Sequence, residues 1–326
     1  MPEINLIEAI NMALARAMDE EERVVVLGED VGIDGGVFRA TDGLFERFGS
    51  ERVLDTPLSE SLIAGMSVGM AVSGLRPVAE IQFMGFICPA IDQLECHASR
   101  FRNRTRGRLS CPMVLRAPYG GGVHAPEHHS ESYEAMFTHI PGLRVVIPSS
   151  PKRAYGLLLA AIRDPDPVIF LEPKRLYHMD SEEVDDDGMS FPLDTAIILR
   201  KGADITLITW GAMTVETLDA AQKLSALGIE AEVIDLATLS PFDPSQILMS
   251  VEKTGRCIII HEAVRTSGFG AEIAATIAER GLMSLLAPVK RVTGLDTVVP
   301  LMRLEKYFMP DAKAIKESAV ELMEYA

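Results

Sequence analysis

Residues 23–31 read Arg23-Val24-Val25-Val26-Leu27-Gly28-Glu29-Asp30-Val31. The apolar run is short, rich in β-branched residues, and stops at a glycine and two acids. That pattern predicts a strand buried on both faces, with its carboxyl end marked by Glu29. A helix signature precedes it. Asn5 stands as a cap with Glu8 three residues on, and Leu6, Ile7, Ile10, Leu14, Ala17 and Met18 follow at helical spacing. An amphipathic helix beside a doubly buried strand is the building block of a parallel α/β sheet.

The rhythm continues outward. Val53-Leu54 leads through Asp55-Thr56-Pro57-Leu58-Ser59-Glu60 into a helix that runs to about Gly74. Ala64, Gly65, Ser67, Gly69, Ala71 and Ser73 lie along it, and residues so small predict close packing against another backbone. Residues 77–83 read as a strand and residues 89–102 as a helix. Residues 112–116 and 143–147 read as strands, Ser150 caps a helix with Pro151 at its first position, and residues 167–171 close the series.

Residues 179–194, with Asp185-Asp186-Asp187-Gly188, break the pattern and read as a linker. A second alternating set follows. Strands are expected at 205–210, 231–236, 257–261 and 289–292, and helices at 215–227, 270–279 and 311–324. The expected class is α/β, with two doubly wound parallel-sheet domains over residues 1–178 and 195–326.

The chain has 326 residues and a formal net charge of -16. A surface so acidic argues against general nucleic-acid binding, which needs a positive footprint. The excess is uneven. Residues 1–178 carry 18 Lys and Arg against 23 Asp and Glu, a net of -5, and residues 179–326 carry 13 against 24, a net of -11. Cys88, Cys96, Cys111 and Cys257 are dispersed, which fits a reducing, cytoplasmic setting. Met1-Pro2-Glu3 opens no secretory signal, and no apolar run approaches the ~20 residues a membrane span needs.

In open α/β sheets ligands gather at the carboxyl ends of strands. That rule singles out Glu29, Glu60, the segment from Gln82 to Phe86, and the loop from Tyr119 to Ser130. Glu60 by itself can be a helix-start carboxylate that gains from the dipole, and Glu29 a solvated strand-end acid. The loop carries His124, His128 and His129. Its string Gly120-Gly121-Gly122-Val123-His124-Ala125 matches GxGxxA formally, but Pro126 follows at once and no acid lies about 20 residues on, so no dinucleotide fingerprint is read there. Three glycines argue against the helix a His-x3-His zinc pair needs. Arg100, Arg102, Arg104, Arg106 and Arg108 read as a solvated or interface edge, and there is no GxSxG elbow.

These residues also form a larger pattern. Val24-Val25-Val26-Leu27-Gly28-Glu29-Asp30-Val31, Asp55-Thr56-Pro57-Leu58-Ser59-Glu60, Arg76-Pro77-Val78-Ala79-Glu80-Ile81-Gln82, Ala90-Ile91-Asp92-Gln93, His129-Ser130 and Phe170-Leu171-Glu172-Pro173-Lys174-Arg175-Leu176-Tyr177 occur in order. Together they resemble the β subunit of the decarboxylating component of 2-oxoacid dehydrogenase complexes, the pyruvate, branched-chain and acetoin enzymes. The resemblance spans essentially the whole chain. It implies a pyrimidine-binding domain followed by a transketolase C-terminal-like domain. It also implies thiamine diphosphate, shared with an α subunit that holds the diphosphate through magnesium with a Gly-Asp-Gly motif. This chain has no Gly-Asp-Gly, so activity is expected only with that partner.

The residue matching Glu60 is implied to hydrogen-bond the pyrimidine ring nitrogen and favour the tautomer that takes the thiazolium proton. Phe86 matches an aromatic that packs on the pyrimidine, and Leu58, Gln82 and Glu29 match its neighbours. His129 matches a residue that assists acyl transfer to lipoamide. A structural potassium ion is implied at Met113, Ala161, Ile162, Asp164 and Asp166, where Pro165 departs from the family pattern. Glu131 is a second departure, because many relatives carry Gln there.

The implied assembly is an α2β2 heterotetramer. Its second domain dimerises and docks the subunit-binding domain of a lipoyl acyltransferase core, to which the -11 charge is complementary. The substrate is a 2-oxo acid, pyruvate or a branched-chain one, and the string from Phe170 to Tyr177 leans toward the branched-chain side. The C-terminal half of a split transketolase-like enzyme and an acetoin dehydrogenase β subunit are the alternatives.

Overall fold

The computed structural model describes residues 2–325. They form two compact units, and the division is not a single cut. The first comprises the chain up to Tyr119 together with Met136–Leu193; the second comprises Gly120–Ala135 and the chain from Asp194 onward.

In the first unit the strands are β1 (Val24–Gly28), β2 (Val53–Asp55), β3 (Arg76–Glu80), β4 (Val114–Tyr119), β5 (Arg144–Val146) and β6 (Val168–Pro173). They pair in parallel in the order β5-β6-β4-β3-β1-β2. Every residue of β1 is buried, as its apolar run requires. The helices α1 (Leu6–Glu20), α2 (Glu60–Val72) and α3 (Pro151–Arg163) connect and cover the sheet. The Asn5–Glu8 capping box is present on α1, which packs against α3.

Several details differ from expectation, each for a local reason. The helix expected over residues 89–102 is broken. Ile91–Cys96 is helical, His97 leaves helical dihedrals at φ -124 and ψ -69, and Phe101–Arg104 forms a separate turn. Ser150 is extended at the start of α3 with Pro151 behind it, but its side chain makes no cap bond. In α2, Ala64, Ser67 and Ala71 are buried, whereas nothing lies within 4 Å of a Cβ built on Gly69. A Cβ on Gly65 would meet only the Gln93 side chain, so neither glycine lies against another backbone of this chain. The segment expected as a linker groups with the first unit through Leu193. Glu182–Glu183 pair with Glu3–Ile4, and Asp186 accepts hydrogen bonds from Arg16 and Tyr155 at 2.8 Å each.

The second unit holds β7 (Ile197–Arg200), β8 (Ile205–Thr209), β9 (Ala231–Asp235), β10 (Cys257–Val264) and β11 (Lys290–Gly294) in the order β11-β10-β8-β9-β7. All pairs are parallel except β7 with β9. The longer helices beside the sheet are α4 (Met213–Ser225), α5 (Pro244–Thr254), α6 (Gly270–Gly281) and α7 (Ala312–Met323), and a single helical turn spans Glu305–Phe308. Helix α5 and strand β7 are not among the expected elements, although Asp243, Pro244 and Gly255 carry the punctuation of α5 at its cap, first turn and left-handed stop.

One polar cluster lies inside the first unit. Arg116 of β4 is 1% exposed and donates through Nε and Nη2 to Glu172 of β6 at 2.6 and 3.0 Å, and through Nη1 to Glu80 of β3 at 2.8 Å. The Tyr177 hydroxyl donates to Glu172 at 2.6 Å. Burial raises the Glu80 carboxyl above its ordinary pKa against the pull of Arg116, and raises the Tyr177 hydroxyl well above its own. A guanidinium suits this place because its fixed fork meets two carboxylates at once. Replacing Arg116→Met would leave two buried carboxylates without their counter-charge. The expected loss is about 3–5 kcal/mol of stability, read by urea unfolding. Arg116→Lys is expected to recover only part of it, and a change below about 1 kcal/mol for either variant would show that the network is not structural.

Candidate active site

The carboxyl ends of β1, β2 and β3 carry the candidate residues of the first unit. The Gly28 carbonyl at the end of β1 accepts the Thr56 N–H at 2.9 Å, which ties the Leu58–Glu60 segment to the Glu29 segment. Gly32 N–H donates to Asp55 Oδ1 at 2.6 Å, and a Cβ on Gly32 would meet that carboxylate at 2.5 Å. A side chain at residue 32 would push that carboxylate aside and loosen this bond. Thr41 Oγ1 donates to the Val31 carbonyl at 2.7 Å, and Gly36 N–H to the Asp30 carbonyl at 2.8 Å, so the loop after β1 has one course.

Along this loop Glu29 is half-buried, and its carboxyl is raised above the ordinary range, first by burial and then by the charges of Glu60 and Asp30. Glu60 is the first residue of α2, whose cap Ser59 accepts the Leu62 N–H at 3.4 Å. The positive helix end favours a carboxylate at that position. Gln82 Nε2 donates to Asp30 Oδ2 at 3.2 Å. Leu58 is 79% exposed, a large apolar side chain held out beside carboxylates. Phe86 packs edge-on against Phe83 at 5.9 Å, Phe83 against Phe38 at 5.4 Å, and Phe38 against Tyr177 at 5.1 Å. The expected residues of this unit thus share one end of its sheet, with apolar and acidic groups side by side.

The histidine loop belongs to the second unit. Its neck closes through Gly120 N–H to the Glu131 carbonyl at 3.0 Å. His129 Nδ1 lies 2.8 Å from the Glu127 carbonyl oxygen, which can only accept, so Nδ1 carries the ring proton and Nε2 is the basic nitrogen. His124 and His128 are exposed with positive φ, and His124 Nδ1 lies 3.0 Å from the Met302 carbonyl and 3.1 Å from Glu305 Oε2.

Comparison with known proteins now has a geometry to attach to. Residues 2–179 match the family described as Transketolase, pyrimidine binding domain, and residues 194–315 match Transketolase, C-terminal domain. The chain is 50% identical over 312 residues to the pyruvate dehydrogenase E1 component subunit beta of Acholeplasma laidlawii, covering 96% of this chain and 95% of that protein. It is 46% identical over 325 residues to the subunit of the same name from Bacillus subtilis (strain 168), covering 100% of both. The chain belongs to the 2-oxoacid dehydrogenase β-subunit family. A solved structure titled a split gene transketolase, inactive beta4 tetramer, matches with a TM-score of 0.81 at 23% identity over 99% of each chain, a likeness of fold alone.

The implied potassium positions of this β subunit do come together, but their groups are already engaged. Arg76 Nη1 donates to the Ile162 and Asp164 carbonyls at 2.8 and 3.2 Å, the place from which a monovalent cation would bind both. The Met113 carbonyl accepts the Val168 N–H at 2.9 Å, and that of Ala161 accepts the Asp164 N–H at 3.3 Å. The Asp164 and Asp166 carboxylates pair with Arg144 and Arg102 at 3.0 and 2.7 Å. A guanidinium charge at this spot repels a second cation, so an ion bound there would have to displace Arg76. The arginine stripe also works locally: beside the Asp166 pair, Arg104 donates to the Cys96 carbonyl at 2.6 Å and Arg108 to that of Thr105 at 3.1 Å.

Four of this subunit's most deeply buried charged groups carry no role in the sequence reading: Arg116 and Glu172 in the first unit, Glu134 and Glu262 in the second. Their signal is available, a charge set inside an apolar strand, as in Val114-Leu115-Arg116-Ala117 and Ile259-Ile260-His261-Glu262. Glu134 takes a bond from Trp210 Nε1 at 3.3 Å. Its carboxyl is pushed up to about 7, chiefly by burial, with the Glu262 charge adding and the Trp210 bond opposing. In the unfolded chain the same group titrates near 4.5. Between those values the folded state binds more proton, so the stability Glu134 contributes is complete below pH 4.5 and lost as the pH rises through about 7. Urea midpoints at pH 5 and pH 8 check this. Wild type should lose on the order of a few kcal/mol more than Glu134→Gln over that interval, and equal losses would refute the assignment.

Proposed function

We propose that this chain is the β half of a thiamine-diphosphate-dependent dehydrogenase that decarboxylates pyruvate and passes the acyl group to lipoamide. What supports this is the half-site at the end of the first unit's sheet. Glu60 stands at a helix start beside Glu29, with Leu58 and Phe86 offering apolar surface and Gln82 an amide, and no diphosphate-binding motif accompanies them. These groups suit the pyrimidine half of the cofactor. When bound, thiamine diphosphate supplies the electron sink that lets the carboxyl group of a 2-oxo acid leave.

The protein's own part is to hold protons and exclude water. Glu60 would hold the hydrogen bond to the pyrimidine ring nitrogen, and Glu29, with its raised affinity for a proton, limits the negative charge beside it. Leu58, exposed in the chain alone, would be covered when an α subunit completes the site with magnesium and the diphosphate contacts. In the second unit, His129 Nε2 is the basic nitrogen that would first take up a proton and then hand it to the lipoyl sulfur as its disulfide opens. Pyruvate is chosen over branched-chain acids because relatives over the full length carry the name pyruvate dehydrogenase.

Reconstitution with an α subunit bearing Gly-Asp-Gly tests the proposal. Glu60→Ala should lower decarboxylation by about 10²–10⁴-fold, and kcat/KM should favour pyruvate over 4-methyl-2-oxopentanoate. Unchanged turnover in Glu60→Ala would refute the role of Glu60, and a sugar-phosphate product would favour the transketolase-like alternative.

The acyltransferase would dock on the second unit. The second unit carries 13 Lys and Arg against 21 Asp and Glu, a net of -8 that suits a basic binding domain, and Met283 and Val298, 96% and 70% exposed, offer apolar anchors. Binding of the isolated subunit-binding domain should weaken steadily as ionic strength rises. An affinity indifferent to salt would refute the electrostatic docking.

A further inference from the structure

The loop that carries His129 is held from behind by two buried carboxylates far along the chain. Glu262 of β10 accepts the Gly121 N–H at 2.7 Å. Glu305 accepts the Gly122 N–H at 2.7 Å and the His124 N–H at 2.9 Å, one on each oxygen. Both residues are 2% exposed. Amide bonds to a carboxylate are roughly twice as strong as neutral ones, and a buried carboxylate stripped of its donors is left at a high desolvation cost.

The glycines are what admits these carboxylates. A Cβ on Gly120, where φ is +85, would meet Glu262 Oε1 at 2.6 Å, and one on Gly121 would meet Glu305 Oε1 at 2.9 Å and Met309 Sδ at 2.8 Å. The loop backbone therefore lies directly on the two acids. From there a short path leads to the imidazole. The Gly120–Glu131 bond closes the neck, His129 N–H donates to the Pro126 carbonyl at 3.2 Å, and His129 Nδ1 is fixed on Glu127. Among the described residues, the exposed ring of His124 is joined to the same anchor through Glu305 and the Met302 carbonyl.

We infer that Glu262 and Glu305 are positioning residues for His129, a two-point carboxylate clamp that holds the Gly-rich loop rigid so that His129 Nε2 meets the lipoyl disulfide in one orientation. They touch neither substrate nor cofactor and act only through the loop backbone. This rests on the role given to His129 above. It makes the loop a fixed shelf, because lifting it would strand two carboxylates in the interior.

The test uses the reconstituted α2β2 enzyme with two readouts, decarboxylation coupled to an artificial electron acceptor and acylation of an isolated lipoyl domain. Glu262→Ala and Glu305→Ala should each lower kcat for acylation by about tenfold or more and change decarboxylation by less than about twofold. Glu305→Gln should recover part of the loss, because its amide oxygen still accepts one N–H. Hydrogen exchange at residues 121–124 should accelerate in the alanine variants. Parallel loss of both activities, or unchanged exchange, would overturn the clamp. So would intact acylation in both variants where His129→Ala abolishes it. Intact acylation in His129→Ala itself would overturn the role of His129, a result separable from the exchange behaviour of the loop.

Discussion

Arg116 is the point on which the first unit turns. Three adjacent strands, β3, β4 and β6, each bring one charged side chain inward near their carboxyl ends, and a single guanidinium joins them. A parallel sheet needs no such bond to form, since its apolar strands pair by backbone alone. The bond fixes something more local. A Cβ on Gly28 would meet the Glu80 carbonyl at 2.8 Å, and one on Gly36 would approach Glu80 Oε1 at 3.3 Å, so the loop bearing Glu29 is moulded around Glu80. On the other side Glu172 holds Tyr177, which begins the aromatic series through Phe38 and Phe83 to Phe86. An acid and an aromatic of the candidate site thus share one buried origin. The arrangement favours uniqueness over raw stability, since buried ion pairs seldom outperform apolar packing.

The second unit uses buried carboxylates differently. Glu262 and Glu305 take backbone amides of a Gly-rich segment, and Glu305 also meets the ring of His124. An amide donor is neutral and cannot be exchanged by side-chain motion. Glu134 has a backbone amide and a long indole bond beside a neighbouring negative charge, too little to offset its burial, and it answers by retaining its proton. Three acids within one unit therefore meet burial by two routes, donors or protonation, and only the first gives a fixed loop.

Much of the architecture was legible in the chain. The Val24–Leu27 run, the Asn5–Glu8 box and the repeated helix–strand rhythm correspond to observed elements, because burial on both faces and capping leave local marks. Glu29, Glu60 and Gln82 were readable as residues at strand ends and a helix start, because those places leave local marks in the chain. What escaped depends on contacts remote in sequence. Residues 89–102 look helical by periodicity, and only the observed dihedrals of His97 show the break. Strand β7 is a half-buried antiparallel edge whose short Ile197-Ile198-Leu199 run follows directly on the polar segment read as a linker. Nor does a sequence show that the expected potassium positions adjoin Arg76, whose guanidinium reaches residues 86 and 88 positions away. Arg116 and Glu305 were visible as residues but not as partners, since nothing in a sequence pairs 116 with 172 or 122 with 305.

The path of the chain has a further consequence. It enters the second unit at Gly120, returns at Met136 and leaves again after Leu193, so the polypeptide passes between units three times. A gene cut at the apparent linker would not yield two complete modules. The downstream piece would carry Glu262 and Glu305 as interior anions with the backbone that neutralises them left on the other fragment. The upstream piece would carry a glycine loop with nothing to rest on. The two halves of this protein are thus bound by covalent interleaving, and a cut at residue 193 would separate the buried acids from their amide donors.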